Sequence, residues 1–149
     1  MSRPERYDTR EFWDSQWSEH DQPPSGPDEM LVAQTATLTP GRALEIGCGA
    51  GANAVWLAER GWKVTAIDFA RAAIEQGRRL AGDRGVDVEF AVADAASYRP
   101  DHEYDLVTSF YIQLPSAERA AMLRAAASAL APAGTLLFVS HDRSSPPPG

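Results

Sequence analysis

From Arg42 onward, short apolar runs alternate with stretches whose apolar residues recur every three or four positions. The runs "RALEIG", "KVTAID", "VEFAVAD", "YDLVTSF" and "TLLFVS" have the length and β-branched content of strands. Between the first two, Ala54, Leu57 and Ala58 form a helical stripe that stops at Gly61, a glycine suited to a helix C-terminus. Ala70, Ala73, Ile74, Gly77, Leu80 and Ala81 mark one face of the next helix. Met122, Leu123, Ala126 and Leu130 line a later one, with Ser116 placed to cap it and Glu118 in its first turn. "PAG" is expected to turn the chain into the fifth strand. Strands alternating with helices imply crossover connections, hence a doubly wound α/β domain with a parallel sheet covered on both faces. The runs "TLLFV" and "DLV" read as strands buried on both sides.

Upstream the pattern is looser. Residues Arg10 to Glu19 are expected to form a short helix carrying Phe12, Trp13 and Trp17. Pro23, Pro24 and Pro27 enforce a loop, and a second helix is expected over Glu29 to Leu38. This divides the chain into an N-terminal helical cover (1–40), an α/β domain (41–143) and a flexible tail (144–149).

Composition narrows the partners. In 149 residues, 44% are hydrophobic and 23% charged, ordinary for one globular domain. A net charge of -7 argues against nucleic acid or an anionic membrane as the main partner. No apolar run reaches membrane-spanning length, and the N-terminus lacks the apolar centre of a secretory signal. One cysteine excludes an internal disulfide and suits a reducing compartment, so a cytoplasmic location is expected. His20, His102 and His141 are far apart with no second ligand at metal spacing, and no metal is expected. Neither a GxSxG elbow nor a P-loop lysine is present.

The candidate chemistry begins at "ALEIGCGAGAN", residues 43 to 53. Gly47, Gly49 and Gly51 follow a strand and open a helix, where backbone N–H groups approach a ligand closely. The spacing Gly47-x-Gly49-x-x-Ala52 also fits the dinucleotide fingerprint, so the glycines alone do not separate a nicotinamide enzyme from a methyl-transfer enzyme. The acids discriminate better. Asp68, at the tip of the second strand, suits two ribose hydroxyls in either case. Glu45 would repel a pyrophosphate but welcome the ammonium of a methionine moiety. Asp94, at the tip of the third strand, suits the exocyclic amine of an adenine.

Taken together, "LEIGCGAG", "VTAID", "AVADA" and "YDLVTSF" resemble the class I S-adenosylmethionine-dependent methyltransferases, over roughly residues 10 to 143. "FWDSQW", "NAVWLAERGWKVTAID" and "LAPAGTLLFVSHD" resemble the tellurite-resistance and thiopurine methyltransferase branch of that class. The resemblance implies a Rossmann-like sheet of order 3-2-1-4-5 beneath N-terminal helices, with S-adenosyl-L-methionine as cofactor. It places Gly47, Cys48, Gly49, Gly51 and Asn53 around the methionine part, with Glu45 serving its amino end. Asp68 takes the ribose, Phe69 packs beside the adenine, and Asp94 and Ala95 meet the adenine edge. Ser109 and Phe110 follow the fourth strand and wall the sulfonium, while Trp13 and Trp17 belong to the cover. Cys48 itself reads as a small buried filler rather than a nucleophile.

The sequence also departs from that pattern. Ala50 and Ala52 stand where the branch often has a polar residue and an arginine, Gln113 where a histidine is common, and Ala133 where a second glycine is usual. Class I enzymes carry a sixth and seventh strand, which are expected to be absent here. The fifth strand would then lie at an edge, and self-association through it is expected, or aggregation. Methyl transfer needs chiefly alignment and exclusion of water, so no catalytic residue is assigned. Tyr111 and His141 lie where an acceptor should sit. The acceptor is expected to be a small molecule. The competing readings are a cofactor-binding fragment or partner subunit without activity, and a nicotinamide dehydrogenase.

Overall fold

The computed structural model describes residues 26–139, apart from 101 and 113. A five-stranded parallel sheet runs in the order β3-β2-β1-β4-β5. Its strands are β1 (Arg42–Ile46), β2 (Lys63–Asp68), β3 (Val88–Val92), β4 (Tyr104–Phe110) and β5 (Leu130–Val139). Among the described residues four helices accompany them: α1 (Glu29–Thr35), α2 (Ala52–Glu59), α3 (Arg71–Arg84) and α4 (Ser116–Ser128). The expected fold class and strand order are therefore both observed.

Strand periodicity builds two cores. Alternate residues point to opposite faces, so Ala43, Val64, Ala66 and Leu106 pack with Leu31 of α1, Val55 and Leu57 of α2 and Ile74 of α3. Leu44, Ile46, Ile67 and Val107 pack on the other face with Met122 and Ala126 of α4. β1, hydrogen-bonded on both sides, buries every residue from Ala43 to Ile46. α1 starts where the Asp28 carboxylate accepts from the Met30 N–H at 2.8 Å. α3 stops at Gly85, whose φ of 69° closes the helix with N–H bonds to Ala81 and Gly82.

Some local expectations fail for identifiable reasons. Ser116 does not cap α4: it is the first helical residue, Pro115 occupies the cap, and no side chain bonds there. "PAG" does not precede β5 but lies inside it. Tyr104 pairs with Leu130 and Leu106 with Thr135, so the strand bulges between. Gly134 is needed at that bulge, since a Cβ there would sit 2.9 Å from the Tyr104 carbonyl oxygen. Nor is "TLLFV" buried on both sides. β5 is an edge of the described sheet, with Leu136 36% exposed and its neighbours only partly covered. Phe12, Trp13, Trp17 and His141 lie outside the described residues.

Candidate functional site

The order of the sheet reverses at β1, whose neighbours are β2 on one side and β4 on the other. A crevice at the carboxyl ends of those strands is where an open α/β sheet binds ligands. Here the chain leaves β1 through Gly47–Gly51 and enters α2. The loop is tied to β2, since the N–H groups of Gly47 and Cys48 both donate to the Ile67 carbonyl, at 2.8 and 2.9 Å. Gly47, Gly49 and Gly51 all have positive φ (74°, 56° and 89°), which only glycine adopts without strain. A Cβ on Gly47 would also lie 3.1 Å from the Ile112 side chain beyond β4. α2 begins at Gly51 with no side-chain cap, leaving N–H groups of its first turn for another partner.

Asp68 ends β2 and is 7% exposed. One of its oxygens accepts from the Gly49 N–H and the other from the Ala70 N–H, both at 2.9 Å. The carboxylate thus holds the glycine loop as well as facing the crevice. Burial raises its pKa, and the N–H groups of Ala70 and Gly49 oppose that shift.

Glu45 is buried in the middle of the site, 2% exposed. Its Oε2 accepts from Asn53 Nδ2 at 2.9 Å, while Oε1 has no partner among the described residues. Burial pushes its pKa up to about 8; Asn53 opposes the rise, and the charges of Asp68 and Asp28 add to it. Asn53 is held in turn by the Asp28 N–H, which donates to its Oδ1 at 2.8 Å. Cys48 is buried in the loop, and desolvation together with Asp68 and Glu45 keeps its thiol protonated. That environment suits a filler and denies it a nucleophile's thiolate.

Ser109 and Phe110 are the last two residues of β4 rather than residues beyond it. The Ser109 hydroxyl is buried without a partner. Thr108 was not among the expected site residues, yet it lies opposite Glu45 in the β1–β4 register with its hydroxyl equally orphaned. A hydroxyl inside an otherwise apolar strand run was the signal for it. Tyr111 follows with φ 57°, the sole non-glycine residue with positive φ among those described, and is 40% exposed. Phe69, half-buried, follows β2. Beyond β3, Asp94 is exposed and its side chain accepts from the Ala96 N–H at 2.9 Å, with Ala95 in the turn between. Glu45, Gly47, Cys48, Gly49, Gly51, Asn53 and Asp68 therefore form one connected cluster, Ser109 sits on the neighbouring strand, and Phe69, Asp94 and Ala95 follow β2 and β3. Trp17 falls outside the described residues. Among the described residues no group of three or more ionisable side chains could hold a metal.

Such a cluster favours positive charge: it holds two buried carboxyls, and among the described residues no lysine or arginine joins their hydrogen bonds. A family model described as "Methyltransferase domain" matches residues 43–134, more than half of the chain. The chain belongs to the methyltransferase domain family. S-adenosylmethionine is the methyl donor of this family, and the orphaned Glu45 oxygen, the glycine loop and the buried carboxyls fit its cationic methionine end. The chain is 33% identical over 115 residues to a ubiquinone biosynthesis O-methyltransferase of Xanthomonas campestris, covering 75% of this chain and 48% of that one. It thus spans about half the length of the curated relatives it matches. Its fold superposes with a TM-score of 0.68 on an S-adenosylmethionine-dependent methyltransferase from Thiobacillus denitrificans, solved in complex with S-adenosyl-L-homocysteine. That match is 27% identical and covers 88% of this chain and 55% of that one. TehB from Haemophilus influenzae matches with a TM-score of 0.73 at 17% identity, over 87% of this chain and 44% of that one, a likeness of fold alone. No helix among the described residues is long and apolar enough to cross a membrane.

Proposed function

We propose that this chain binds S-adenosylmethionine across the ends of β1, β2 and β4 and directs its methyl group to a small-molecule acceptor. The single observation that carries this reading is Glu45, a fully buried carboxyl with one oxygen unspent beside a left-handed glycine loop. A pyrophosphate at that place would meet a carboxyl and gain nothing from it; an ammonium would gain a charge-assisted hydrogen bond. On this reading Gly47–Gly51 cradle the methionine part, Asp68 holds the ribose, Phe69 covers the adenine and Asp94 and Ala95 bound its edge. Ser109 and Phe110 form the wall beside the sulfonium.

When bound, the sulfonium supplies an activated methyl group for in-line displacement. The protein's own residues align and exclude water. Phe110 presents an apolar wall, Gly47 packs against Ile112, and Asp68 fixes the loop so that the donor has one orientation. No side chain of the described cluster is poised as a base toward the crevice mouth, so a soft or pre-ionised nucleophile is the acceptor class that suits it best. The small-molecule reading is supported by the net charge of -7 and by the relative named for ubiquinone biosynthesis. A buried lone cysteine suits a reducing cytoplasm.

The second reading is an S-adenosylmethionine-binding fragment or partner subunit without catalysis of its own. Titration calorimetry with S-adenosylmethionine, S-adenosylhomocysteine and NAD tests the donor; binding of NAD alone would overturn it. A screen of thiol, amine and phenol acceptors with radiolabelled donor then separates the two readings. The exposed face of the β5 edge also supports self-association through that strand. Sedimentation at micromolar concentration should show a dimer that Leu136→Lys dissociates, and a soluble monomer of the unaltered chain would refute it.

A further inference from the structure

Asn53 has both ends of its amide committed. An N–H can only donate, so the Asp28 N–H fixes Oδ1 on its side, at 2.8 Å. The amide nitrogen is thereby turned toward Glu45 and donates to Oε2 at 2.9 Å. The same Asp28 starts α1, its carboxylate accepting from the Met30 N–H. Leu31, three residues on, is wholly buried in the core shared with α2 and α3. A continuous path of hydrogen bonds therefore runs from the start of α1, through one side chain of α2, to the buried acid of β1.

We propose that Asn53 is a positioning residue that couples the seating of α1 to Glu45, so that the helix start sets the site's affinity for the cationic methionine end of its ligand. The proposal rests on the donor reading given above. It assigns Asn53 a role through Glu45 rather than as a primary contact. With Oε2 held by Asn53, the free oxygen Oε1 is left on a fixed bearing for an ammonium. Without that bond the carboxyl is free to rotate, and it becomes harder to ionise because the one interaction opposing its desolvation is gone. The other groups around Glu45 are Asp68 of β2, Asp28 before α1, the protonated Cys48 thiol of the loop and the neutral Thr108 hydroxyl of β4. All the charges among them are negative, so among the described residues Asn53 alone favours the carboxylate.

Two ligands separate this role from a merely structural one. S-adenosylhomocysteine carries the ammonium; 5′-methylthioadenosine keeps the nucleoside and thioether but lacks the amino-acid end. Asn53→Leu should weaken S-adenosylhomocysteine about tenfold or more, as for one lost charge-assisted bond, and change methylthioadenosine by less than about twofold. Proton release on S-adenosylhomocysteine binding, measured in buffers of differing ionisation heat, should persist to higher pH in the variant than in the unaltered protein. Equal weakening of both ligands, unchanged affinity for S-adenosylhomocysteine, or an unmoved proton-release profile would overturn the proposal. Failure of the unaltered protein to bind S-adenosylhomocysteine would instead overturn the donor reading beneath it.

If Asn53→Leu does not fold, a second pair decides. Asp28 has φ -67°, which proline adopts without strain, and it follows Pro27. Asp28→Ala and Asp28→Pro both lose the cap of α1, and only the proline loses the N–H that holds Asn53. Asp28→Pro should bind S-adenosylhomocysteine several-fold more weakly than Asp28→Ala, with methylthioadenosine alike in both; equal affinities would overturn the coupling.

Discussion

Replacing a glycine inside a helix by alanine normally stabilises it by about 1 kcal/mol, through backbone entropy. Gly77→Ala should do the reverse. Gly77 lies inside α3 against β3, and a Cβ there would sit 2.6 Å from Phe90 Cε1, 2.8 Å from Cζ and 3.2 Å from Cδ1. Phe90 is 6% exposed and belongs to the core cluster, so moving its ring means repacking buried neighbours. Gly51 crowds the same edge of the ring: a Cβ there would be 3.2 Å from Phe90 Cζ and 3.0 Å from the Cα of Gly77. Overpacking of this kind costs about 1–3 kcal/mol. Set against the helix gain of about 1 kcal/mol, the middle of that range leaves a net loss of about 1 kcal/mol. Urea unfolding should show a lower midpoint with an unchanged slope. Phe90→Leu removes the ring edge, so it should cost less in the Gly77→Ala background than alone, a coupling that a double-mutant cycle reads directly. A raised midpoint for Gly77→Ala, or strict additivity with Phe90→Leu, would refute the packing argument.

Two further expectations concern the acids. Asp68→Asn places an amide nitrogen against the N–H of Gly49 or Ala70, and it should weaken S-adenosylhomocysteine by about 1.5–3 kcal/mol; unchanged affinity with an intact circular dichroism spectrum would exclude Asp68 from the site. Glu45 has a folded pKa of about 8, above its ordinary 4.5, so the folded chain binds more protons than the unfolded one and stability falls as pH rises between those values. Glu45→Gln should flatten a slope of up to about 1.4 kcal/mol per pH unit, and identical pH profiles for the two proteins would show that the carboxyl is not buried.

The features that were legible in the sequence are those written in period. "KVTAID" and "YDLVTSF" fall on β2 and β4 residue for residue, because burial on both faces leaves a near-continuous apolar run in central strands. The glycine loop and Asp68 were legible because positive φ and a strand-tip acid each demand particular residue types. What failed was set by tertiary register. Nothing local says that Leu130 pairs with Tyr104 and so draws "PAG" into the strand. Ser116 is a good cap by type, but Pro115 already supplies the extended backbone at that position, with ψ 154°. Asn53 was legible as a loop neighbour, whereas its bond to the Asp28 N–H joins residues 25 apart and has no signature in either segment. The same holds for Thr108, whose importance lies in facing Glu45 across two strands.

The energetics of the core point to the same crevice. Glu45 Oε1, Thr108 Oγ1 and Ser109 Oγ are the buried side-chain atoms left without a partner among the described residues. Each such atom costs about 1–3 kcal/mol relative to a satisfied one. All three lie on β1 and β4, the pair that flanks the point where strand order reverses. Elsewhere the fold finds partners for groups of the same kind: the Thr35 hydroxyl donates to the Leu31 carbonyl at 2.7 Å, and that of Thr65 to Glu89 at 3.1 Å. A core that satisfies its hydroxyls beneath α1 and across β2 and β3, yet leaves three polar atoms open on adjacent strands, concentrates its instability in one place. Glu45 and Thr108 face the same side of the sheet and Ser109 the other, so the unsatisfied groups of these adjacent strands lie on both faces. On the proposed donor reading, a ligand that binds only the folded chain and satisfies these groups would recover part of that cost.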